Sequence, residues 1–160
     1  MDKLWAPWRM KYIKETVGQP ESGCIFCSKP KETADRENLI LYRGKESFII
    51  CNAFPYNNGH LMIVPYMHTN ELDDITPACS LEMWALLAKC RQALMKAFQP
   101  HGFNIGMNLG RTAGAGIDQH LHMHIVPRWN GDSNFMPVIG ETKVMSQSLE
   151  DAYDALKGLF

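Results

Sequence analysis

Half of the chain's six histidines fall within five residues, His120-Leu121-His122-Met123-His124. Side chains on a strand alternate between its two faces. This spacing therefore predicts three imidazoles on one face, with Leu121, Met123 and Ile125 on the other, ready to pack on a core. Core packing alone gives little reason for such a strand. Two kinds of chemistry do: histidines spaced by one residue are good zinc ligands, and a neutral imidazole near its pKa of about 6.5 is a nucleophile and an acid–base group.

A glycine-rich loop, Gly110-Arg111-Thr112-Ala113-Gly114-Ala115-Gly116, runs shortly ahead of these histidines. Small residues let backbone N–H groups approach a phosphate closely, as in anion-binding nests. Phosphate donors beside a nucleophile favour chemistry at phosphorus. Upstream, Cys24-Ile25-Phe26-Cys27 offers a C-x-x-C pair of thiolates. Cys51, Cys79 and Cys90 lie in apolar surroundings and are expected to be buried as small hydrophobes.

The run from His120 to Val126 resembles the H-φ-H-φ-H-φ-φ signature of the histidine triad (HIT) superfamily. Other segments agree. Asn52 stands eight residues before His60, where that family carries a ribose-binding Asn or Asp ahead of a Gly-His pair. Asn108 precedes the glycine loop, where members keep an Asn or Gln facing the phosphates. The resemblance covers nearly the whole chain. Segments 4–10, 100–110 and 127–136 are most similar to a bacterial branch that includes diadenosine tetraphosphate phosphorylases.

The resemblance implies a set of roles. His122 is the nucleophile on the α-phosphorus, forming a nucleotidyl-imidazole that a second acceptor then attacks. Its other ring nitrogen must hold a proton on an acceptor, which in the family is a backbone carbonyl of the triad segment. His124 is the partner at the phosphate or leaving oxygen, and His60 supports the triad or the phosphate. Backbone N–H groups of Gly114, Ala115 and Gly116, with the Asn108 side chain, hold the phosphoryl oxygens, and Asn52 holds the ribose. Many relatives carry Ser or Thr where this chain has Gly116, with one extra loop residue before the triad, so a hydroxyl donor is missing.

Zinc-containing members, and the related galactose-1-phosphate uridylyltransferases, keep a zinc histidine at the position of His68, with the first triad histidine as a further ligand. Cys24, Cys27, His68 and His120 are thus implied as a closed Cys₂His₂ structural zinc site. Some relatives lack the cysteines and that histidine, so the chemistry does not require the zinc. No organic cofactor is expected. The implied substrate is a nucleotide or dinucleoside polyphosphate such as diadenosine tetraphosphate, with phosphate or water as acceptor. The alternatives are a nucleoside phosphoramidate or other nucleotide hydrolase, a nucleotide-binding signalling protein with weak hydrolysis, and a zinc enzyme whose triad holds a catalytic metal. Family members are usually dimers through the long helix and a sheet edge, so a homodimer is expected. Arg128 could hold an anionic acceptor. Trp5, Trp8 and Trp129 are read as core or interface residues, with purine stacking as the alternative.

The elements that must position these groups can be read from pattern. Leu39–Arg43 and Ser47–Cys51 flank Gly44-Lys45-Glu46, a hairpin signal. Leu61–Val64 follows the turn around Asn57-Asn58-Gly59 and is closed by Pro65. Thr76 and Pro77 are an N-cap and first position for a helix reaching Phe98, where Pro100 and Gly102 stop it. Leu81, Trp84, Leu87, Ala88, Arg91, Leu94, Met95 and Phe98 mark its expected core face. Phe103–Asn108 and Leu121–Val126 read as further strands, Thr33–Glu37 as a short helix and Leu149–Leu159 as a last helix. Clustered strands and one long helix give an α+β fold with a mainly antiparallel sheet of about five strands, and the resemblance makes it HIT-like.

The chain's 160 residues suit a single domain. Its expected parts are an N-terminal segment (1–38) with the zinc knuckle, a catalytic core (39–130), and a C-terminal tail and helix (131–160). A net charge of −1 offers no bulk attraction to nucleic acid or an anionic membrane, so neither partner is expected. No apolar run suits a membrane helix, and the aromatic, basic N-terminus lacks a signal peptide's apolar stretch. With five cysteines, an odd number, the expected location is the cytoplasm.

Overall fold

Five strands form one antiparallel sheet in the order β1-β2-β3-β5-β4: β1 (Ile40–Arg43), β2 (Ser47–Cys51), β3 (Leu61–Pro65), β4 (Gly102–Met107) and β5 (Met123–Arg128). The computed structural model describes residues 23–140 and 144–160, so Trp5, Trp8 and segment 4–10 lie outside the described residues. Four helices accompany the sheet among the described residues: α1 (Ile25–Ser28), α2 (Pro77–Phe98), α3 (Met136–Ile139) and α4 (Leu149–Lys157). None is long and apolar enough to cross a membrane.

The β1–β2 turn demands glycine. The Gly44 N–H donates to the Ser47 carbonyl at 2.8 Å. A Cβ on Gly44 would stand 2.7 Å from that same oxygen. The Glu82 carboxylate of α2 accepts the Lys45 and Glu46 N–H groups at 2.7 and 2.6 Å, fastening the turn to the helix. β2 and β3 are buried along their full lengths because both sheet faces are covered. Ile49, Leu61, Ile63, Met123 and Ile125 meet α2 and α4 on one side. Phe48, Ile50, Met62 and Val64 meet Phe26 of α1 on the other. β4 is an edge strand with Asn104, Ile105 and Gly106 exposed.

Helix α2 begins and ends where its residues dictate. The Thr76 hydroxyl accepts the Cys79 N–H at 3.2 Å and Pro77 fills the first position. Gln99 closes it at φ 48°. Its buried face, however, is Cys79, Met83, Leu86, Leu87, Cys90, Ala93 and Leu94. The expected stripe is only partly right: Leu87 and Leu94 are inside, while Leu81 is 74% and Trp84 60% exposed. Apolar residues occupy two adjacent stripes of this helix, and 3-4 spacing alone cannot choose between them.

Other boundaries shift for local reasons. Residues 35–39 form a turn rather than the expected Thr33–Glu37 helix. There the Asn38, Leu39 and Ile40 N–H groups bond back to Ala34, Arg36 and Asp35. The short helix is instead α1, on the C-x-x-C itself, continuing as a 3₁₀ turn over Lys29–Lys31. Pro65 is the last residue of β3 rather than its stop. α4 starts where the Ser148 hydroxyl accepts the Asp151 N–H and ends two residues early, at Lys157. Cys51, Cys79 and Cys90 are buried, as their surroundings predicted.

Candidate active site

β5 begins at Met123, so only His124 of the three histidines lies within the paired strand. His120 and His122 occupy the segment leading into it. Here the Leu121 N–H bonds to the Thr69 carbonyl at 2.7 Å rather than to a neighbouring strand. The expected segregation holds from His122 onward. His122 and His124 rings lie 4.7 Å apart, while Met123 and Ile125 join the core beneath α2.

The His122 Nδ1 lies 2.8 Å from the His120 carbonyl oxygen. A carbonyl only accepts, so Nδ1 carries the proton and Nε2 keeps its lone pair. Burial pushes the His122 pKa down, opposed by this hydrogen bond. The ring is therefore neutral at pH 7, with Nε2 as an available nucleophile. Phe26 packs against both His120 and His122, at 5.4 and 5.1 Å between ring centroids.

A second chain of bonds sets His124. The Tyr56 N–H donates to His60 Nδ1 at 3.0 Å, which makes that nitrogen the acceptor. His60 Nε2 therefore carries the proton and donates to His124 Nδ1 at 2.9 Å. His124 in turn holds its own proton on Nε2. A lone pair on one ring and an N–H on the next thus stand side by side, which is the arrangement needed to attack a phosphate and hydrogen-bond its oxygens. The Asn52 amide lies 3.3 Å from His60 Nδ1, and its oxygen accepts the Phe54 N–H at 2.9 Å.

The glycine loop departs from a ready-made cradle. Gly110 and Gly114 hold φ of 77° and 95°, which favours glycine. Between them, Arg111–Ala113 make a 3₁₀ turn. The Gly114 and Ala115 N–H groups bond inward, to Arg111 at 2.9 Å and Gly110 at 3.3 Å. A phosphate must draw them from those bonds. Gly116 is half-buried beside them, and the half-buried Asn108 points its amide at the Tyr56 hydroxyl, 3.5 Å away.

Cys24, Cys27, His68 and His120 come together, with one ligand atom from each all within 4.8 Å of one another. Cys24 Sγ and Cys27 Sγ stand 3.2 and 3.6 Å from His120 Nδ1, and His68 Nδ1 is 3.2 Å from Cys27 Sγ and 3.3 Å from His120 Nδ1. Tetrahedral zinc needs ligand separations of roughly 3.3–3.8 Å, so the donors fit it. The His120 Nε2–H donates to the Pro65 carbonyl at 2.8 Å, turning the Nδ1 lone pair to the cluster. Burial pushes the Cys24 thiol up and His120 down; a cation would oppose the first effect by favouring the thiolate, and the second keeps the His120 ring in the neutral form a ligand requires.

Several contributors carry no motif of their own. Asp132 accepts from Asn57 at 2.8 Å, the Trp129 N–H at 3.1 Å and Arg128 at 2.6 and 2.9 Å. Arg128 is therefore already paired. Trp129 donates its indole N–H to the Phe98 carbonyl at 3.2 Å, which anchors it to the end of α2. Tyr56 and Phe26, which wall the histidines, were legible only as unassigned aromatics beside a motif.

The model of the HIT domain matches residues 33–131. The chain is 41% identical over 156 residues to AP-4-A phosphorylase of Mycobacterium tuberculosis, covering 94% of this chain and 80% of that one. It is 32% identical over 93 residues to the asymmetrical Bis(5'-nucleosyl)-tetraphosphatase of Schizosaccharomyces pombe, covering 58% and 50% respectively. Its fold is similar to a Zn-bound histidine triad family protein from Mycobacterium smegmatis, with TM-score 0.68 and 25% identity over 86% of this chain and 92% of that one.

Proposed function

This chain belongs to the HIT-domain family, and on that premise we propose that it cleaves a dinucleoside polyphosphate, such as diadenosine tetraphosphate, through a nucleotide held covalently on His122. The observation that carries the reading is the His122 Nδ1–His120 carbonyl bond, which leaves Nε2 as a lone pair in a neutral ring. Nε2 attacks the α-phosphorus and the bridging P–O bond breaks, releasing a nucleoside polyphosphate. The ring becomes cationic, and the His120 carbonyl stabilises the Nδ1–H. His124 offers its Nε2–H to the phosphoryl or leaving oxygen, and His60 holds that tautomer. An oxygen of the acceptor then attacks the same phosphorus, and His122 leaves as neutral imidazole. Asn52 at the ribose and Asn108 with loop 114–116 at the phosphate remain the binding groups of this reading.

Phosphate is the acceptor we favour, because a 41%-identical relative is named a phosphorylase. Incubation with diadenosine tetraphosphate, with and without phosphate, tests it. ADP plus ATP in phosphate supports phosphorolysis, AMP plus ATP assigns water, and no cleavage of any dinucleotide or nucleoside phosphoramidate removes the enzyme reading.

The cluster of Cys24, Cys27, His68 and His120 is the site for a structural zinc, which would tie α1 to the catalytic segment. A homodimer is supported by the exposed Leu81 and Trp84 on α2 and Ile105 on the edge strand. Free cysteines suit a cytoplasmic setting.

A further inference from the structure

A cleft of about 360 Å³ opens beyond His124. Val126 follows His124 on the same face of β5, roughly 7 Å further along, and forms its floor. Asn104 pairs with Val126 from β4. Tyr56 is the wall shared with the triad, its ring 5.6 Å from that of His124 and stacked at 30°.

The lining is amphipathic. Tyr56, Val126 and Pro137 give apolar surface, and Asn104, Arg128 and Ser133 give polar surface. Arg128 is held at both ends, by Asp132 at 2.6 and 2.9 Å and by the Asn104 oxygen at 2.7 Å. Three of a guanidinium's five N–H groups are thereby committed and two remain to donate. Asp132 matches its charge, so the cleft has the hydrogen-bonding edges for a neutral polar ligand and little excess charge for a free anion. Its volume suits a small organic molecule.

Position gives the ligand. In the sheet order β2-β3-β5-β4, Asn52 follows β2 on one side of the triad and the cleft lies over β5 and β4 on the other. If Asn52 holds the transferred nucleoside, the leaving half of the substrate extends toward the cleft. We infer that the cleft lined by Tyr56, Asn104, Val126, Arg128 and Ser133 binds the distal nucleoside of the dinucleotide, the one that departs with the leaving group. This rests on the reading of the chain as a dinucleoside polyphosphate enzyme.

The test compares diadenosine tetraphosphate with adenosine 5′-tetraphosphate, which offers the same scissile bond without the second nucleoside. The wild-type protein should favour the dinucleotide in kcat/KM by about tenfold or more, mostly through KM. Ser133→Trp, at an exposed position, and Asn104→Leu, on the exposed edge strand, should each bring the ratio toward one while the protein unfolds at an unchanged temperature. A wild-type ratio of one, or a ratio both folded variants leave intact, overturns the inference and spares the reaction. A raised KM for phosphate with the ratio intact also overturns it, and assigns the cleft to the acceptor. Cleavage of neither substrate removes the reaction and the inference together.

Discussion

His120 gives its carbonyl oxygen to His122 Nδ1 at 2.8 Å while its own Nδ1 faces Cys24 Sγ at 3.2 Å. One residue thus belongs to the metal cluster by its side chain and to the nucleophile by its backbone. The placement of His122 is then coupled to whatever holds the His120 ring.

Removing metal should therefore weaken catalysis without abolishing it. Chelation is expected to lower the unfolding temperature by about 5 °C or more and kcat by roughly tenfold, the scale of losing outer-shell support. Zinc content, thermal unfolding and turnover measured on one preparation check this. Complete loss of turnover with full recovery on adding zinc would mean that the metal itself carries the chemistry.

The Asn57 side chain donates to the Pro127 carbonyl at 3.1 Å and to Asp132 at 2.8 Å, bracing the far end of β5. Asn57→Ala leaves these acceptors without that donor and should cost about 1–3 kcal/mol. Denaturant unfolding measures the loss. A variant as stable as the wild type would show that the brace is idle.

Burial pushes the Cys51 thiol up to about 12 and Cys90 higher still. Both stay protonated at pH 8, so alkylation of the folded, metal-free protein should mark Cys24 and Cys27 first. The sign for stability follows. Folding holds the Cys51 proton more tightly than the ordinary value of 9.0. This contribution is intact below pH 9 and fades as pH rises toward 12. Peptide mapping that found Cys51 modified as fast as Cys24 would contradict the burial argument.

The exposed apolar stripe of α2 gives a prediction about assembly. Trp84→Glu places a charge at a side chain that is 60% exposed in the single chain and should shift sedimentation from dimer toward monomer. Its unfolding as a monomer should change little. A wild-type protein that is monomeric at micromolar concentrations removes the expectation.

How far the sequence reached depends on the range of the signal. The bounds of α2 follow from local chemistry, Thr76 and Pro77 at one end and Gly102 beyond the other, and they were read correctly. Its buried face was read only in part, because Leu81–Trp84 and Met83–Leu86 are equally apolar and only the sheet decides between them. The histidine alternation was legible from a period of two, although pairing begins only at Met123. The four metal-cluster residues were gathered through resemblance, since Cys24 and His120 are 96 positions apart and no spacing rule joins them. Asp132 and Tyr56 escaped notice because their roles are hydrogen bonds and ring contacts to distant segments, with no signal in neighbouring residues.

The central claim is tested most directly by quenching a reaction with diadenosine tetraphosphate in acid-free denaturant within the first turnover and mapping the protein by mass spectrometry. The account predicts an adenylyl adduct on His122 that appears together with the released ATP and before ADP, decays when phosphate is added, and is absent in His122→Gly, whose kcat falls on the order of 10⁴-fold or more. Product formed with no adduct, or an adduct on another residue that survives in His122→Gly, would contradict it.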